Sequence, residues 1–173
     1  MNNNESRSRH YLFAIFGIIA GVLFDQWTKY MALAHLRGQE PYVLIKNVFE
    51  LDYLENRGAA FGMLQNKQIL FILCVALISI FVVVFYKNVS LSRHFLPLRV
   101  CAILIMAGAI GNVIDRIFRH YVVDFFYFSL INFPVFNVAD IYVTVAAILL
   151  ILLLLFYYKE EDLEQIFHNQ KRK

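Results

Sequence analysis

GNVIDRIFRHYVVDFFYFSLINFPVFNVADIYVTV, residues 111–145, joins two apolar segments yet carries Asp115, Asp124 and Asp140 together with Arg116, Arg119 and His120. Ionisable groups at the edge of a hydrocarbon layer are costly unless they pair or work. The stretch therefore predicts two membrane spans that meet at a polar edge. It also singles out Asp124 and Asp140, at the two ends of the connection, as a candidate carboxylate pair.

Composition supports spans rather than a soluble core. The chain has 173 residues, of which 60% are hydrophobic and 17% charged, and its mean hydropathy is +0.59. A soluble domain of this size cannot cover that much apolar surface. Length allows one membrane bundle, a single domain over 1–173. The net charge of +3 is modest, and no basic patch with interleaved aromatics points to nucleic acid. Cys74 and Cys101 lie in apolar runs without a partner motif, so both are expected to be small core residues.

Working outward from 111–145, the third span is expected at about 97–114 and the fourth at 138–158. Ala107, Gly108 and Gly111 in the third span let helices approach closely in lipid. Gly108, Asn112, Asp115 and Arg116 fall at helical spacing, which predicts a polar stripe turned into the bundle. The run ILFILCVALISIFVVVFY, 69–86, holds no charge and is long enough to span. The connection that follows carries Lys87, Arg93 and Arg99 without an acid, the mark of a cytoplasmic loop. The first span is expected at 11–34. No small-residue cleavage site follows its apolar run, and Asp25 and Lys29 interrupt it, so it reads as a retained helix rather than a signal peptide. Asp25 and Lys29 stand four apart and can pair. The pairing is expected to anchor the helix at the interface rather than to take part in chemistry, with Trp27 and Tyr30 in the headgroup layer.

Two segments remain. Residues 37–68 break helix at Gly38 and Pro41, then alternate through YVLIKNVFELDYL into the turn NRGAAFG, which predicts a small β-rich insert on the membrane surface. The charged C-terminal segment has Leu163, Ile166 and Phe167 at helical spacing, but is expected to be a solvated tail more than a surface helix. Four spans with basic ends place both termini in the cytoplasm. The fold class is therefore an all-α membrane protein of four helices, with an extracytoplasmic β-rich insert between the first two.

That topology brings Asp124 and Asp140 to the same outer edge. Asn137 can cap the fourth helix and Pro134 helps fix its start. A helix N-terminus favours a carboxylate at Asp140. Two neighbouring carboxyls resist double ionisation and hold one proton between them. One ionised and one protonated carboxyl is the requirement for aspartic proteolysis. Rival chemistries lack their residues. There is no HExxH, and His10, His35, His94, His120 and His168 all lie outside the spans, so no metal site is expected. No G-x-S-G or G-x-G-D motif is present. An ion-coupled transporter using the same acids is the alternative. Against it, the second span and the inner half of the fourth are wholly apolar.

Five motifs in order then carry a resemblance: DQWTK at 25–29, NRGAAFG at 56–62, GNVIDR at 111–116, VVDF at 122–125 and FNVAD at 136–140. The sequence resembles the lipoprotein signal peptidases, or signal peptidase II, of bacteria. The resemblance implies an aspartic endopeptidase of the inner membrane, needing no cofactor. Such an enzyme cuts diacylglyceryl-modified prolipoproteins just before the lipidated cysteine and is blocked by globomycin-type inhibitors. It puts the catalytic pair on Asp124 and Asp140, and polar site residues on Asn56, Asn112, Arg116 and Asn137. Asp25 and Lys29 match a further polar pair, expected to be structural. Read from the residues alone, Asp115 belongs in a structural network with Arg116. Asn56 is as readily a turn residue as a site residue, and the role of Arg116 stays open between fold and substrate. Phe125, Phe126, Phe128, Phe133 and Phe136 are expected to be interfacial anchors or groove walls. Neither cysteine sits in a lipobox, so the chain is a processor of lipoproteins rather than one of them. Because one bundle carries both acids, a monomer suffices.

Overall fold

A computed structural model describes residues 3–58 and 67–168. Four helices carry the spans: α1 (Asn3–His35), α2 (Gln68–Asn88), α3 (Leu96–Phe118) and α4 (Val138–Phe156). Each is long and apolar enough to cross a membrane, and the protein is a multi-pass membrane protein. A short α5 (Glu160–His168) follows α4. Three strands, β1 (Tyr42–Ile45), β2 (Phe49–Asn56) and β3 (Val122–Tyr127), make one antiparallel sheet in the order β1-β2-β3.

α3 is the central helix and packs against α1, α2 and α4. Its small residues explain why. A Cβ on Gly108 would lie 2.5 Å from the Ala139 carbonyl oxygen of α4, and one on Gly111 would lie 2.5 Å from an Asp25 carboxylate oxygen of α1. Without a hydrophobic drive between helices in lipid, such close backbone approach is what holds them. At the end of the bundle away from the sheet, Val89, Phe95, Leu98, Cys101, Ala146, Leu153 and Tyr158 form an apolar core. Arg99 is buried beside that core and donates to the carbonyls of Ser90 and Ser92, closing the turn after α2. At the sheet end, Ala32, Val123, Phe125 and Val138 make a second core that fastens β3 to α1 and α4.

The sheet differs from the expected insert in one respect that matters. β1 and β2 come from the 37–68 segment, but the third strand is residues 122–127, from the connection between α3 and α4. Asp124 is thus on a sheet strand, with Leu54 of β2 as its register partner. Strand alternation sends Val123 and Phe125 to the core and Asp124 to the other face. The motif residues 59–62 of NRGAAFG, and with them part of the expected turn, lie outside the described residues.

Helix limits also move. α1 includes most of the polar stretch expected to precede it, and α3 runs a turn past the expected boundary, so Asp115 and Arg116 are helical. The C-terminal segment is not simply a solvated tail. α5 turns back and packs Leu163 against the far core, with Asp162 3.0 Å from His94. Of the two cysteines only Cys101 is in a core; Cys74 is on the exposed surface of α2, because consecutive apolar residues of a lone span face lipid as often as protein. Phe125 is a core residue rather than an interfacial anchor.

Candidate active site

The N-terminus of α4 is the best-defined local structure at the sheet end. Asn137 is its N-cap: the side-chain oxygen accepts from the Asp140 backbone N–H at 3.0 Å, and the Asp140 carboxylate accepts from the Asn137 N–H at 3.2 Å. This reciprocal capping box fixes both side chains. The amide of Asn137 is left pointing at β3, where it donates to Asp124 at 2.6 Å. Asn137 therefore caps the helix and ties the two aspartates together at once.

The second oxygen of each carboxyl has its own asparagine. Asn56, at the end of β2, donates to Asp124 at 2.9 Å, while its oxygen accepts the Gly58 N–H. The turn role and the site role of Asn56 are thus compatible. Asn112 of α3 donates to Asp140 at 2.8 Å. The Asn112 oxygen accepts from Asn137 at 3.2 Å and from the Lys29 ammonium at 2.9 Å. All four carboxyl oxygens of Asp124 and Asp140 accept hydrogen bonds.

Asp124 is almost fully buried. Loss of hydration first, and the nearby Asp140 charge second, push its pKa up to about 7, against the opposing hydrogen bonds of Asn56 and Asn137 and the charge of Lys29. A cavity of about 520 Å³ opens beside the pair, lined by Asn56, Phe71, Asn112, Arg116, Asp124, Asp140 and Thr144, with Phe133, Phe136, Ile141 and Val145 as its apolar walls. Arg116 reaches across the mouth. It donates to the Gly58 carbonyl at 3.1 Å and lies 4.4 Å from the centre of the Phe71 ring.

Behind the site is a fully buried ionic cluster. Lys29 lies 2.9 Å from Asp25 and 3.2 Å from Asp115, and all three side chains are wholly inaccessible. The Asp25–Lys29 pair is therefore internal rather than interfacial, because its face of α1 meets α3 and α4 instead of the headgroup layer. Asp115 is partnered by Lys29 and by Arg119, four residues on, and not by Arg116 as expected. On a helix, adjacent residues point about 100° apart, so Arg116 faces the cavity while Asp115 faces α1. The polar stripe of α3 thus splits into two sides, with Asn112 touching both.

Gln26 and Arg119 escaped the reading of the sequence. Gln26 donates to the Gly111 carbonyl and Asp115, and accepts from Arg119. The four-residue spacing of Asp115 and Arg119 was an available signal. For Gln26 the signal is its place inside the motif DQWTK.

Comparisons with known proteins agree with this arrangement. The model of the peptidase family A8, described as signal peptidase (SPase) II, matches residues 17–156. A lipoprotein signal peptidase of Caldanaerobacter subterraneus is 48% identical over 133 residues, spanning 76% of this chain and 88% of the relative. One of Clostridium tetani is 41% identical over 134 residues, spanning 76% and 85%. A bacterial membrane enzyme solved by the in meso method at 2.3 Å resolution superposes with a TM-score of 0.76 at 33% identity, covering 86% of this chain and 92% of the other. These relatives leave the ion-coupled transporter without support. By sequence and by fold, the chain belongs to the signal peptidase II family.

Proposed function

We propose that the protein is an aspartic endopeptidase that removes the signal peptide from diacylglyceryl-modified prolipoproteins, cutting just before the lipidated cysteine, with Asp124 and Asp140 as the catalytic pair. The observation that carries the assignment is the bridging of these two carboxyls by Asn137 and Asn112 at the wall of a largely apolar cavity. The names of the relatives supply the substrate class.

Charge balance supports a singly protonated pair. Asp25, Asp115, Asp124 and Asp140 are four carboxyl groups set among three cations, Lys29, Arg116 and Arg119. One proton on the carboxyls makes that set neutral, as a poorly hydrated site requires. Asp124, with its raised pKa, holds the proton. Asp140 is the base: it takes a proton from water as the water oxygen attacks the scissile carbonyl carbon. Asp124 gives its proton to the carbonyl oxygen, forming a tetrahedral diol. Asp140 then protonates the leaving nitrogen, the C–N bond breaks, and Asp124 recovers a proton from the diol hydroxyl. Arg116, above the same cavity, is placed to donate hydrogen bonds to backbone carbonyls of the substrate.

The expected setting is the bacterial cytoplasmic membrane. The acid-free basic connection after α2 supports a cytoplasmic far end with both termini, and a site near the outer face. The exposed apolar β1 suits contact with lipid or with the lipidated substrate. One chain contains the whole set of site residues, so a monomer suffices, and a globomycin-type inhibitor is expected to occupy the cavity. The test is cleavage of a lipidated and an unlipidated prolipoprotein by purified enzyme. The lipidated form should be cut at the cysteine, and Asp124→Asn and Asp140→Asn should each lower the rate by at least roughly 10³-fold while folding persists. Equal cleavage of both substrates, or wild-type rates in either variant, rejects the assignment.

A further inference from the structure

Resting on the aspartic-peptidase reading, we infer that Lys29 is a positioning residue of the catalytic pair: its ammonium sets the orientation of the Asn112 amide, and through it the placement of Asp140. The geometry is directional. An ammonium group can only donate. At 2.9 Å from the Asn112 side-chain oxygen, Lys29 forces that end of the amide toward α1. The NH₂ end must then face Asp140, which it meets at 2.8 Å. The Asn137 amide donates to the same oxygen and reinforces this choice. Without the ammonium, Asn112 loses its charged partner and the amide is freer to turn its oxygen toward a carboxylate.

Lys29 is also the centre of a cluster that grips α3, α4 and β3, three of the elements that carry the site. Asp25 accepts the Ala139 N–H at 2.9 Å, one residue before Asp140. Asp115 accepts the Val123 N–H at 3.1 Å, one residue before Asp124. Lys29 lies between these two acids and holds Asn112 with its remaining donor. A buried charge cluster contributes little net stability compared with apolar packing. Its contacts to α3, α4 and β3 give it a different use, the alignment of two carboxyls brought from separate elements. Its charge reaches the pair as well. Asp124 is faced by Asp140 from α4, Arg116 and Asn112 from α3, Asn56 from β2 and Asn137 before α4, with Lys29 on α1 behind them, and Lys29 holds the Asp124 pKa below where burial and Asp140 alone would put it.

The experiment compares wild type, Asp25→Asn, Lys29→Met, the double variant Asp25→Asn/Lys29→Met, and Asp124→Asn. Each is purified in lipid–detergent micelles and assayed for kcat, KM, pH profile and thermal unfolding on a lipidated prolipoprotein. The double variant removes both charges of the pair, leaves Asp115 paired with Arg119, and keeps an oxygen at position 25 for the Ala139 N–H, so it carries the test if Lys29→Met alone does not accumulate. It should fold, lose about 100-fold in kcat from misplacement of Asp140 with KM little changed, and shift the alkaline limb of its pH profile above about 7. Asp25→Asn, which leaves Lys29 on Asn112 and keeps an oxygen for the Ala139 N–H, should lose at least about tenfold less kcat than the double variant. If kcat falls equally in Asp25→Asn and the double variant, or the double variant keeps wild-type kcat and its alkaline limb, Lys29 is merely structural and the inference fails. Activity in Asp124→Asn instead overturns the catalytic pair itself, which separates the two failures.

Discussion

The two ends of this bundle share apolar cores but differ in what is added to them. The far end is held by apolar packing of Phe95, Leu98, Cys101, Ala146, Leu153 and Tyr158, with α5 folded against it. The sheet end adds to its apolar core of Ala32, Val123, Phe125 and Val138 a network of asparagine amides and a buried ionic cluster. Apolar packing tolerates small shifts, since many contacts share the load. A hydrogen-bond network with every member satisfied does not, because a lost partner leaves a buried polar group exposed to an apolar surround. The far end therefore supplies fold, and the sheet end supplies position.

The comparison breaks most visibly at Asn137, which serves α4 and both aspartates. Asn137→Ala should lower kcat by roughly 10²-fold or more through misplacement of the pair, while stability falls by about 1 kcal/mol for the lost cap and by about 1–3 kcal/mol for the buried Asp124 and Asn112 oxygens left without its amide. Cleavage kinetics and thermal unfolding of one preparation decide this. An unchanged kcat with a large stability loss would show that the sheet end is structural after all. The reverse pattern is expected at the far end. Leu98→Ala should cost about 2 kcal/mol of stability by opening a cavity and leave kcat at the wild-type level. A matching fall in kcat would mean that the two ends are coupled.

The comparison also predicts a pH slope. The Asp124 pKa is raised from its ordinary 3.8 to about 7 in the folded protein. Its contribution to stability is thus fully present below the unfolded value and is lost as pH rises through about 7. Activity that needs the Asp124 proton should fall over the same range. Thermal unfolding against pH should show this slope in wild type and lose it in Asp124→Asn. A slope that survives the substitution belongs to another group.

Much of this was legible in the chain, for reasons that differ by residue. The spans are written in uninterrupted apolar runs, and Asn137 and Asp140 in local helix-capping chemistry. Asp124 stood out as an acid between apolar residues. What could not be read depended on neighbours distant in sequence. The pairing of β3 with β2 joins residues more than sixty positions apart, as in the bond between Asn56 and Asp124. The burial of Asp25 and Lys29 depends on which face of α1 meets α3. A charged pair at a span end looks the same in sequence whether it faces headgroups or the interior. Sequence suggests Arg116 as the partner of Asp115, but adjacency in sequence is not adjacency on a helix, and its partners are Lys29 and Arg119.

The crossing of β3 onto β2 has a consequence for biosynthesis. During translation the hairpin of β1 and β2 is complete long before residue 122 exists, and Asp140 arrives only with the final span. The carboxyls meet after the last helix has been threaded into the bilayer and the outer strand has annealed to the waiting hairpin. A nascent or half-inserted chain holds its acids apart, so the proposed catalytic pair is not yet formed. Topology alone withholds the finished site until insertion is done.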